Sequence, residues 1–85
     1  MKYLHWDFNA GPDNTIRVDL QEAANVVLLD DINYSAFQRG SAYRYFGGYY
    51  RQSPVRLSPP HVGRWHVIVH LGGYTGRVAA SVAVA

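Results

Sequence analysis

Four histidines, six carboxylates and a run of arginines in the second half are the side chains with which this 85-residue chain could do chemistry. His66 and His70 sit on one face of the run Arg64–Leu71, four positions apart. At about 3.3 Å per residue of strand they are roughly 13 Å apart, too far to share one metal ion. His5, two residues before Asp7, could approach one of them across paired strands, but no feature of the sequence fixes that pairing. Solvent-facing or hydrogen-bonded structural histidines are the alternative. The neighbours Asp30 and Asp31 point to opposite faces of an extended chain and so do not converge on one substrate atom; the entry to a helix suits them better. No serine stands in a Gly-x-Ser-x-Gly elbow, and the Gly47-Gly48 and Gly72-Gly73 doublets do not make a phosphate-cradling motif. The expectation is a protein that is not an enzyme, with no catalytic residue, no metal and no cofactor.

The segment Arg39–Arg56 carries a different chemistry. A two-residue turn at Gly47-Gly48 would set Phe46 opposite Tyr49, Tyr45 opposite Tyr50 and Arg44 opposite Arg51. One face of that hairpin then shows Arg44, Phe46, Tyr49 and Arg51, with Arg39 and Arg56 at its rim. Two like charges directly opposite are unfavourable. Stacking on the rings, a carboxylate from elsewhere or a bound anion would relieve them. These six residues are the candidate ligand-binding set, for an anionic ligand or a protein partner. The competing account is an edge hairpin kept soluble by arginines.

The charge distribution adds weight to that half. All six acids fall within the first 31 residues, which also hold Lys2 and Arg17, for a net −4; from Ile32 onward there are six arginines and no acid, for +6. Such asymmetry suits a basic face toward an anionic partner. The plainer account is two facing sheets that neutralise each other locally, because sequence halves rarely map onto separate faces of a small antiparallel domain.

Positioning these residues falls to strands. Hydrophobic residues make up 48% of the chain and charged ones 16%, enough apolar content for a packed core and too little charge for disorder. Seven Tyr, three Phe and two Trp favour strands. Trp65, Val67, Val69 and Leu71 alternate with Arg64, His66, Ile68 and His70, which predicts a strand with one buried face. A second alternating run, Arg77–Ala85, predicts its hairpin partner across Gly72-Gly73. Lys2–Phe8 and Thr15–Leu20 alternate as well, and the apolar run Asn25–Leu29 suits a buried strand. An Asp of the Asp30-Asp31 pair can cap a short helix near 32–38 that stops at Gly40. Val55-Arg56-Leu57, bracketed by prolines, belongs at a sheet edge. The sum is a single all-β domain over 1–85, a small antiparallel β-sandwich or partly open barrel with one short helix. Leu4, Trp6, Ile16, Val18, Trp65, Val67, Val69, Val78 and Val82 should share one core.

No cysteine is present and no apolar run is long enough to span a bilayer, so a cytoplasmic protein without membrane contact is expected. The outward positions of the last strand, Ala79, Ser81, Ala83 and Ala85, are small and uncharged. They protect an edge poorly and leave room for a homodimer through the C-terminal strand.

Asp30-Asp31-Ile32-Asn33-Tyr34, Tyr43-Arg44-Tyr45-Phe46-Gly47-Gly48, Ser53-Pro54-Val55 and Gly63–Gly73 together give the chain a family likeness. Over nearly its whole length it resembles the bacterial domain-of-unknown-function family DUF1883. That resemblance implies a small β-rich domain, found alone or N-terminal to TIR domains, and a sensing or binding role without established catalytic residues. An Asp often precedes the second Leu-Gly-Gly in that family; His70 stands there in this chain.

Overall fold

The alternation of Leu4, Trp6 and Phe8 against Tyr3, His5 and Asp7 becomes strand β1, Tyr3–Ala10, in the computed structural model, which describes residues 2–74 and 76–85. Six further strands follow: β2 (Ile16–Leu20), β3 (Ala24–Asp30), β4 (Phe46–Tyr50), β5 (Val55–Leu57), β6 (Gly63–His70) and β7 (Ala80–Val84). One helix, α1 (Asp31–Arg39), lies between β3 and β4. The strands form two antiparallel sheets, one in the order β1-β6-β3-β4 and the other β5-β2-β7. The architecture is a small all-β sandwich with one short helix, and the sheets do not close into a barrel.

The inward side chains interdigitate between the sheets. Ile16 and Val18 from β2 and Val55 from β5 meet Val26, Leu28, Trp65, Val67 and Val69, all of them buried. Leu4, Trp6, Val78 and Val82 pack against this cluster at its margins, so the expected core residues do share one core. The Trp65 indole N–H donates to the His61 carbonyl at 3.0 Å, which satisfies its polar atom inside the core. A second cluster lies on the other face of the four-stranded sheet. There Val27, Leu29 and Ile68 are sealed by Tyr34 and Phe37 of α1, with Tyr3 and Tyr43 at the sides. The molecule therefore has three layers: helix, four-stranded sheet and three-stranded sheet.

The helix starts and stops where its caps dictate. Asp30 is extended, and its carboxylate accepts the Asn33 backbone N–H at 2.9 Å. Such a cap is worth about 1 kcal/mol. At the other end Gly40 adopts φ 75°, and Ser41 N–H reaches the Ala36 carbonyl while Gly40 N–H reaches that of Phe37. This double bond pattern needs a left-handed residue, which glycine supplies without strain.

Two expected pairings are corrected. β6 and β7 do not form a hairpin: β6 lies between β1 and β3, and β7 pairs with β2 in the other sheet. The reason is that β6 is apolar on both faces, with Ile68 and His66 buried opposite Val67 and Val69. A strand covered on both faces belongs in the middle of a sheet. Nor is Gly47-Gly48 a turn. Both glycines lie inside β4, opposite Val27 and Val26 of β3. At φ 119° a Cβ on Gly47 would sit 2.1 Å from the Val26 carbonyl oxygen, so the glycine is there to let two backbones approach. The segment before Phe46, expected as the first arm of the hairpin, is irregular.

Candidate functional site

With no hairpin at residues 47–48, Arg44 does not face Arg51. Arg44 precedes β4, its backbone N–H held by the Asn33 side-chain oxygen at 2.7 Å, and Arg51 follows the strand. Arg39 occupies the last turn of α1, where its charge complements the helix dipole. Phe46 and Tyr49 leave β4 on opposite faces. Phe46 turns its edge toward Trp65 at a centroid distance of 6.3 Å, and Tyr49 is 60% exposed. Arg56 belongs to the other sheet, on β5, although β4 and β5 touch. Arg44, Phe46, Tyr49 and Arg51 thus lie on or next to the edge strand β4, with exposed Tyr45 among them, but the rings of Phe46 and Tyr49 face opposite ways. Arg39 ends α1, and Arg56 sits on β5 of the other sheet.

A second constellation is assembled where β1, β6 and α1 meet. His5 and Asp7 leave β1 on one side because they are two residues apart. The register sets Asp7 opposite His66 and His5 opposite Ile68. His5 Nε2 lies 2.8 Å from His66 Nδ1. His66 Nε2 in turn lies 2.5 Å from a carboxylate oxygen of Asp31, in the first turn of the helix. Three residues further along α1, Tyr34 lies flat over both imidazoles, 4.3 Å from the His5 ring and 4.2 Å from that of His66. Gln38 donates to its hydroxyl at 3.2 Å. On the open side Asp7 pairs with Arg64 at 2.7 Å.

This network assigns one proton. A carboxylate can only accept, so His66 Nε2 carries the hydrogen toward Asp31. Between His66 Nδ1 and His5 Nε2 one nitrogen donates and the other accepts. At His5, burial first, then the facing His66, and more weakly Arg64, lower its pKa below the ordinary histidine value, against a smaller opposing pull from Asp7. The Arg64 guanidinium holds Asp7 below the usual carboxylate range. Burial, followed by the phenol of Tyr3, pushes Tyr34 up to about 12, so its hydroxyl keeps its proton.

The arrangement is a carboxylate–imidazole–imidazole chain whose outer end reaches solvent. His5, Asp7 and His66 also present three donor atoms within 4.8 Å of one another, which is the spacing of a metal-ligand cluster. The sequence carried a faint signal for it in His5-x-Asp7, but only the β1–β6 register brings His66 alongside. His70 is separate: burial lowers its pKa, and its Nδ1 accepts the Gly72 backbone N–H at 2.9 Å. That is the hydrogen bond an Asp side chain makes to the backbone two residues on.

Among the described residues no helix is long and apolar enough to cross a membrane. No curated protein and no solved structure shows significant similarity to the chain. One family model does match, that of a domain of unknown function, and it spans residues 1–85. The chain belongs to the DUF1883 family.

Proposed function

We propose that this domain is a non-enzymatic binding module that holds an anionic ligand against the arginines and exposed rings of residues 39–51, with Arg56 at the rim. One observation carries the reading. Tyr45, just before the edge strand β4, and Phe46 and Tyr49 on it are 49%, 49% and 60% exposed, and among the described residues Arg39, Arg44, Arg51 and Arg56 form no ion pair. Large rings beside uncompensated guanidinium groups are the usual makings of an anion-binding surface: each charge-assisted hydrogen bond contributes about 1.5–3 kcal/mol, and stacking adds to it.

The test is a screen of thermal stability against nucleotides, short nucleic acids and anionic sugars, since a ligand specific to the folded state raises the melting temperature. Binding should weaken as salt rises. Arg44→Glu should abolish it with the fold intact, because the fold uses the backbone N–H of Arg44. If Arg44→Glu and Arg51→Glu both fold and neither alters the binding found, the surface is not the site.

A second reading is self-association. β7 lies at the edge of the three-stranded sheet, and its outward Ser81 and Ala83, with Ala79 and Ala85 just beyond its ends, raise no charge against a second copy. Light scattering at two concentrations tests for a dimer, and Ala83→Lys should split one built on this strand. A monomer at both concentrations removes this reading.

A further inference from the structure

We propose that His5 Nε2, His66 Nδ1 and a carboxylate oxygen of Asp7 form a binding site for a divalent transition-metal ion of the zinc class, with Asp31 as the partner that orients His66. The argument begins at His66, 5% exposed and fixed by its hydrogen bond to Asp31 at 2.5 Å. That bond places a ring proton on Nε2, so Nδ1, directed away from the helix, is the nitrogen available to a metal. A carboxylate behind an imidazole in this way is the arrangement that fixes the tautomer of a metal-ligating histidine. His5 brings its Nε2 to the same point, 2.8 Å away. Tetrahedral zinc, with Zn–N bonds of about 2.0–2.1 Å, holds two imidazole nitrogens about 3.3 Å apart. The two nitrogens need to part by about half an ångström, and the His5 ring must swing so that both lone pairs converge on the ion, a movement open to a residue exposed on an edge strand.

The rest of the geometry leaves the ion room. A metal bonds imidazole in the ring plane at the two facing nitrogens, whereas Tyr34 covers the ring faces and sets its hydroxyl 3.2 Å from His5 Nδ1, the nitrogen the ion does not use. Asp7 gives one carboxylate oxygen to Arg64, and the other has no hydrogen-bond partner among the described residues. His5 and Asp7 both lie at the surface, so the ion has a path in. Two imidazoles and one carboxylate suit zinc, nickel or copper better than magnesium or calcium, which take oxygen ligands. On binding, the proton between the two facing nitrogens leaves them by exchange with water, and the metal takes both lone pairs. Three protein ligands leave a fourth position for water.

The experiment is calorimetric titration of the untagged full chain with zinc chloride in a non-chelating buffer, paired with visible absorption on adding cobalt. One equivalent of zinc should bind, and cobalt should give the intense bands of a tetrahedral site. His5→Gln should weaken zinc binding by more than about 100-fold, and Asp31→Asn by about 10–100-fold through loss of His66 orientation. His61→Gln, remote from the cluster, should leave it unchanged. Circular dichroism checks the fold of each variant; should one of them unfold, Asp7→Ala, at an exposed position, takes its place and should weaken binding at least tenfold. Absence of saturable zinc binding overturns the proposal. So does binding that survives both His5→Gln and Asp7→Ala, which would place the ion elsewhere and leave the histidine pair as a hydrogen-bonded strut.

Discussion

Arg17 on β2 stands directly opposite Arg56 on β5, a like-charge pair across two strands of the smaller sheet. Arg17 is relieved on its own strand by Asp19, at 3.0 Å, whereas Arg56 forms no ion pair among the described residues. Replacing Arg56 by Glu turns repulsion into attraction across the ladder. Arg56→Glu should stabilise the domain by about 0.2–1 kcal/mol, read as a higher urea midpoint at unchanged slope. The gain should shrink at high salt because both groups are exposed.

Gly47 and Gly48 separate the strand from the turn by experiment. Gly47→Ala forces a side chain into the Val26 carbonyl at a left-handed φ and should destabilise by well over about 1 kcal/mol. Gly48→Ala meets nothing within 4 Å and should leave stability nearly unchanged. Thermal melts of the two variants make the comparison. Equal losses would favour a turn at this doublet.

Trp65 joins the two sheets, 2% exposed among Val18, Val67 and the edge of Phe46. Trp65→Ala removes that volume and leaves the His61 carbonyl without its donor. The loss should be about 3–5 kcal/mol, enough to unfold much of a domain this small at room temperature. Near-ultraviolet circular dichroism and a urea curve would report it.

His70 gives the fold a pH dependence. Burial lowers its pKa in the folded state, so the folded protein prefers it neutral, while the unfolded chain protonates it near 6.5. As pH falls below that value the unfolded state takes up the proton first, and stability declines until pH reaches the lower folded value. Protonation also removes the acceptor that Gly72 N–H uses. His70→Asn keeps an acceptor there and cannot titrate. It should match the parent at pH 7.5 and show a smaller loss at pH 5.5 in urea unfolding.

The alternating strands were legible because period-two patterning survives any arrangement of the sheets. Trp65, Val67 and Val69 read as inward, and they are. The other face of the same strand was not legible: Ile68 is apolar, but His66 and His70 look like surface residues until α1 is laid over them. Glycine doublets misled for a related reason. Gly47-Gly48 and Gly72-Gly73 follow an aromatic or aliphatic residue and precede a tyrosine alike, yet one lies within a strand against Val26 and the other follows β6, with Gly72 at φ 67°. Which use a glycine serves depends on what lies beside it in space. The His5–His66 contact was beyond the sequence because it rests on a register between strands that begin 60 positions apart.

The order of the strands has a kinetic consequence. Among the described residues no strand is joined to its partner by a tight turn: β1 closes on β6, β2 on β5 and β7, and even β3 and β4 have a helix between them. The chain cannot zip up from local hairpins, and the entropy of closing long loops must be met before the ladders reward it. Folding should therefore be slow for 85 residues, in the range of about milliseconds to seconds.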